Sequence, residues 1–140
     1  MMYLKISFST LACPSWSWSD IYSIAKDFKF NGIEVRGIGN EIFSIKENPF
    51  SDEKISQTIK KLKELNLEIP CLSSGACLKD AEKFNDAEAE ITAYARLAQK
   101  LNTPYIRILA DNNYRPENEV NDDIVVEALK KLVPIAEEYN

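Results

Sequence analysis

The sequence predicts an α/β domain of four βα units around a parallel sheet. Three observations carry this. Short apolar runs begin near residues 4, 33, 67 and 105, a period of about 30 to 38 residues. Between them lie longer stretches with apolar residues at i, i+3, i+4 and i+7, the spacing of helices that cover a core on one side. The strand-like runs at 33 and 105 carry isolated charges, Glu34, Arg36 and Arg107, where a strand covered by helices would otherwise be apolar throughout.

In order, residues 4–11 alternate Leu4, Ile6, Phe8 and Leu11 with Lys5, Ser7 and Ser9, and read as the first strand. Cys13-Pro14-Ser15 breaks it, and Ser17 or Ser19 can cap the helix carrying Trp18, Ile21, Tyr22, Ala25 and Phe28. Asn31-Gly32 is expected to end that helix. The second strand is expected over 33–38, with Ile33 and Val35 on one face and Glu34 and Arg36 on the other.

A long loop, Gly39 to Phe50, has the length of loops that serve ligand sites. A second helix is expected from Ser51, with Asp52 and Glu53 in its first turn. Its stripe is Ile55, Ile59, Leu62 and Leu65, and Lys60, Lys61 and Lys63 form its solvated face. A third strand is expected over Leu67–Leu72, with Pro70 inside it and Ser73-Ser74-Gly75 ending it.

The third helix is expected over about Asp86–Leu101, buried through Ile91, Tyr94, Ala95, Leu97, Ala98 and Leu101 and closed by Asn102 in the left-handed region. Tyr105–Ala110 is the fourth strand, and Asp111–Glu119 a second polar loop. Asn121 or Asp122 caps a fourth helix that buries Ile124, Val125, Ala128, Leu129, Leu132 and Ile135 and carries a kinking Pro134.

Two architectures fit βαβαβαβα: a small doubly wound sheet, or half of an eight-stranded barrel, which needs about 250 residues when complete. The chain has 140 residues, 45% hydrophobic and 28% charged, the balance of one globular domain. A net charge of −5 argues against a duplex-binding surface. The sequence contains no His, which removes the commonest acid/base group and a common metal ligand. Cys13, Cys71 and Cys77 form no CxxC pair and read as reduced thiols of a cytoplasmic protein. No run approaches the roughly 18 apolar residues of a membrane span, and residues 1–12 lack the features of a signal peptide.

Three segments carry a family resemblance. Lys5-Ile6-Ser7-Phe8-Ser9-Thr10 leads into a helix. Asn31-Gly32-Ile33-Glu34-Val35-Arg36 holds a Gly-hydrophobic-Glu strand. Ala95 to Ile108 joins a helix to a strand bearing Arg107. In order and spacing these resemble the sugar phosphate isomerase/epimerase family, the xylose isomerase-like TIM barrels, across essentially the whole chain. The resemblance implies a single domain over 1–140, a parallel (βα)4 half of a TIM barrel, truncated before strand five.

It also implies a divalent metal, held in the family by Glu, Asp, His and Glu at the ends of strands five to eight. Those positions lie beyond Tyr139-Asn140, so the metal is not expected on this chain alone. Where many members have a His near the end of strand three, this chain has Ser73 and Ser74. The implied function is the N-terminal part of a metal-dependent sugar or sugar phosphate isomerase/epimerase, inactive without its other half. The alternative is a non-catalytic sugar-binding fragment. An endonuclease branch resembles the same barrel, but the acidic balance and the lack of His oppose it.

The candidate substrate-binding residues are Glu34, Arg36, Arg107 and Trp16. Glu34 can accept from sugar hydroxyls, or pair internally with Arg36 or Arg107. Arg107 and, less readily, Arg36 can hold a phosphate or carboxylate through the planar guanidinium; Glu34 or Asp111 is the structural alternative for Arg107. Trp16 and Trp18 follow strand one, where a barrel site opens, and can stack on a sugar ring or pack under the first helix. The expected partners are a small sugar or sugar phosphate and a second copy that closes the half barrel, since open sheet edges invite another chain. No nucleic acid or membrane partner is expected.

Overall fold

The computed structural model describes residues 4–36, 48–111 and 121–139. Four strands, β1 (Ser7–Ser9), β2 (Gly32–Arg36), β3 (Cys71–Cys77) and β4 (Tyr105–Leu109), alternate with four helices, α1 (Trp18–Asp27), α2 (Ile55–Glu64), α3 (Phe84–Leu101) and α4 (Asp122–Glu138). All pairings are parallel and the spatial order is β1-β2-β3-β4. A doubly wound sheet would place a later strand outside the first. Sequential parallel order with a helix after every strand is half of a (βα)8 barrel.

One parity of the strands faces the helices. Ile33, Val35 and Leu72 are fully buried and pack with Ile21, Ala25, Leu62, Tyr94 and Leu97. Each such side chain contributes roughly 1.5–3 kcal/mol by leaving water. A second cluster joins Ala76, Leu78 and Ile91 to Ala128 and Leu132 of α4, with Ile106 and Ile108 beside it. The opposite parity, Ser7 and Ser9, Glu34 and Arg36, Cys71 and Ser73, Tyr105 and Arg107, forms the inner face.

The boundaries differ from the sequence reading where non-local partners decide them. β1 is only Ser7–Ser9, because Thr10–Ala12 turns into a 3-10 helix that leaves Leu11 exposed. α1 ends at Asp27 and reverses through Lys29 at φ 57°, not at Asn31-Gly32. Asn31 instead ties the start of β1 to β2: its N–H donates to Ile6 O at 2.7 Å and its side-chain oxygen accepts from Ile6 N at 2.8 Å. Gly32 lies within β2, where a Cβ would sit 2.7 Å from Ser7 Oγ and 3.0 Å from Glu68 O. The close approach of two strands therefore selects glycine there.

α2 starts at Ile55, after turns that leave Asp52 to bond Lys100 at 2.9 Å. β3 begins after Pro70 and runs through Ser73-Ser74-Gly75 to Cys77. α3 starts at Phe84 and ends, as expected, at left-handed Asn102. Asn121 caps α4, which runs on through Pro134 and leaves Leu129 exposed. The expected ends of β2 at 37–38, most of the Gly39–Phe50 loop and nearly all of the Asp111–Glu119 loop lie outside the described residues. Among the described residues no helix is long and apolar enough to cross a membrane.

Candidate functional site

Period-two alternation places Glu34 and Arg36 on the inner face of β2, and register sets Arg36 level with Ser73 and Ser73 level with Arg107. Three of the four sequence-predicted site residues thus share one face, around Ser73. The Ser73 hydroxyl donates to Glu34 Oε1. Among the described residues Glu34 has neither of its two expected arginine partners in an ion pair. Cys71 lies in the same group. Burial, and next the Glu34 carboxylate, push its thiol above the usual range, while bonds from Arg107 and Ser73 and the Arg107 charge oppose the shift.

The two arginines differ. The Arg36 guanidinium donates through Nη1 to Ser73 O at 3.2 Å and Ser74 O at 2.5 Å, and its backbone N–H donates to Thr10 Oγ1 at 2.8 Å. The Arg107 main chain is engaged, its carbonyl accepting from Ser74 Oγ at 2.7 Å. Its side chain is exposed and makes no ion pair among the described residues. The alternative partner Asp111 pairs with Lys79 at 3.3 Å. Trp16 follows the turn after β1 and is 39% exposed. Trp18 packs instead against Tyr22 and Phe50, with ring centroids 4.9 and 5.3 Å away.

A feature the sequence reading missed supports this face. Between Ser73 and Cys77, β3 carries a bulge against β4. Its carbonyls at Ser73 and Ser74 are met by Arg36, and its Gly75 N–H donates to Glu90 Oε1 at 2.6 Å from the α3 side. Ser73 and Ser74 are fully buried and Glu90 nearly so. A bulge exposes unpaired backbone groups, and here a cation and an anion on opposite sides satisfy them. Burial pushes the Glu90 carboxyl above the usual carboxylate range, against the lowering effect of the Gly75 and Ala76 N–H groups and of Arg36. Burial and the nearby Glu90 charge likewise raise Tyr94, whose hydroxyl is buried with no hydrogen-bond partner among the described residues. The available signal was Glu90 and Tyr94 four residues apart on the buried stripe of α3.

Chemically, this face offers a hydroxyl acceptor at Glu34, held by the buried Ser73 hydroxyl, a thiol at Cys71 and a cation at Arg107. It does not assemble a metal site: among the described residues no three His, Cys, Asp or Glu side chains converge. Glu34 and Cys71 are two donors of unlike hardness, a poor set for one ion.

A family model described as xylose isomerase-like TIM barrel matches residues 22–140. No curated protein matches. Among solved structures, the chain is similar to an IolI protein with a bound zinc atom (16% identity, TM-score 0.71), covering 97% of this chain and 49% of that one. It is similar to the probable 3-DHS dehydratase AsbF of Bacillus anthracis, involved in petrobactin synthesis (22%, TM-score 0.68), over 97% and 48%. A xylose isomerase domain protein from Planctomyces limnophilus aligns over 98% and 51% (15%, TM-score 0.67). The chain spans about half the length of these structures.

Proposed function

The chain belongs to the xylose isomerase-like TIM-barrel family, and from that premise we propose that it is the substrate-holding N-terminal half of a sugar or sugar phosphate isomerase or epimerase. Glu34 accepts from substrate hydroxyls, Arg107 holds the anionic end, Trp16 covers an apolar ring face, and Arg36 keeps the strand bulge beneath them in shape. The observation that carries the reading is the Arg107 guanidinium, exposed and without an ion pair among the described residues, on the same face as the Glu34–Ser73 pair. A cation set apart from a hydroxyl acceptor suits a polyol that ends in phosphate.

Metal-dependent turnover, which a divalent ion would supply as a Lewis acid, requires donors beyond the described residues. A binding-only role is the second reading, favoured by the incomplete donor set. Calorimetric titration with fructose 6-phosphate and with fructose tests the proposal. Binding that prefers the phosphate, and an Arg107→Met variant that loses about 10- to 100-fold of it, as expected for a charge-assisted contact, would support it. Absence of binding to either sugar would overturn it. Turnover on adding Zn2+ or Mn2+ would separate the catalytic from the binding-only reading.

A further inference from the structure

The bulged part of β3, Ser73-Ser74-Gly75, touches all three charged residues that alternation puts on the inner face. The Ser73 hydroxyl donates to Glu34. The Ser73 and Ser74 carbonyls accept from the Arg36 guanidinium. The Ser74 hydroxyl donates to the Arg107 carbonyl. The aim of these groups therefore depends on what holds the bulge. In a regular strand the neighbouring ladder does so, but between Ser73 and Cys77 the register to β4 is broken. Glu90 on α3 supplies the missing hold. It is buried, and its carboxyl accepts from Gly75 N–H at 2.6 Å and also from Ala76 N–H.

We propose that Glu90 is a positioning residue for the inner face: by gripping the Gly75 and Ala76 N–H groups from the helix side, it keeps the Ser73 hydroxyl aimed at Glu34. The carboxyl is carried by a rigid element, since Glu90 stands among Ala87, Ile91 and Tyr94 on the buried stripe of an 18-residue helix. Burying a carboxyl there is costly unless its oxygens are bonded, and the two consecutive N–H groups of the bulge bond them. The link runs from α3 through the backbone of β3 to a side chain on β2, with no contact between Glu90 and substrate. The grip on Ser73 stands by itself; its consequence for sugar binding rests on the proposed function.

Cys71, two residues before Ser73 on the same face, reports the aim of that hydroxyl. Its thiol shares a hydrogen bond with the Ser73 side chain that favours the thiolate, and it feels the Glu34 charge. In a Cys13→Ala/Cys77→Ser background Cys71 is the single thiol, and its alkylation by iodoacetamide at pH 8 follows its thiolate fraction. Ser73→Ala should slow that reaction about threefold by deleting the bond. Glu90→Ala should slow it as much, and should add nothing further when Ser73→Ala is already present. Glu90→Gln keeps an acceptor oxygen and should restore the parent rate. If Glu90→Ala does not fold, Glu90→Asp, whose carboxyl is drawn back by one methylene, should give the same coupled slowing at smaller size. An unchanged rate in the folded Glu90 variants, or a change as large without the Ser73 hydroxyl as with it, would overturn the proposal and leave Glu90 a residue of fold stability alone. Glu90→Ala should also weaken fructose 6-phosphate binding about tenfold, and Glu90→Gln less than about threefold. Wild type that binds no sugar while the Cys71 rates stay coupled would sink the sugar-holding role and not the positioning one.

Discussion

At Gly32 the fold turns on one missing atom. A Cβ there would meet Ser7 Oγ at 2.7 Å and Pro70 Cδ at 3.0 Å. Gly32→Ala is expected to lower stability by about 1–3 kcal/mol, the usual cost of overpacking, read as a shifted urea midpoint. Tyr94 is the opposite case, a fully buried ring whose hydroxyl has no hydrogen-bond partner among the described residues. Tyr94→Phe removes that desolvated group and should leave stability unchanged or raise it by up to about 1 kcal/mol. Glu90 has a pH signature. Its folded carboxyl titrates above the ordinary glutamate range, with burial the main cause. As pH rises past that range the unfolded chain releases its proton first, so stability falls until the folded carboxyl ionises as well. Glu90→Gln should abolish that part of the slope in pH-dependent urea titrations, whereas an unchanged slope would show that another group causes it.

Among the elements, the start of α1 and the exit of α3 are set locally and were legible, whereas α2 starts at Ile55 and not at the expected Ser51. Ser17 and Asp20 form a reciprocal capping box at α1, and Asn102 ends α3 as its residue type suggests. The exit of α1 was misread, because Lys29 is an unlikely residue for φ 57°. Lys29→Gly should therefore stabilise by roughly 0.5–1 kcal/mol, by relieving the left-handed penalty, measured as a raised melting temperature. The positions of Glu34, Arg36 and Arg107 on one face followed from alternation alone. The bulge did not. Ser73-Ser74-Gly75 has the composition of a turn, and it stays in a strand because Arg36 and Glu90, on two other elements, bind its backbone. Contacts of that range leave no periodic trace in a sequence.

For the molecule as a whole, strand order decides between two folds that share one pattern, and the apolar spacing alone could not choose between them. Burial is centred on β2 and β3, where Ile33, Val35 and Leu72 are fully enclosed, while no residue of β1 or β4 is buried. Amide hydrogen exchange should accordingly be slowest in β2 and β3 and faster along β1 and β4; equal protection throughout the sheet would mean that the outer strands are already paired. The helix exits carry a consequence of their own. α1, α2 and α3 all leave through a left-handed residue, Lys29, Asn66 or Asn102. In each case the next N–H reaches back five residues: Phe30 to Ala25, Leu67 to Leu62 and Thr103 to Ala98. Three copies of one joint at nearly even intervals make the chain a row of interchangeable cassettes. A whole cassette could be added or removed at a joint without putting the remaining strands and helices out of phase.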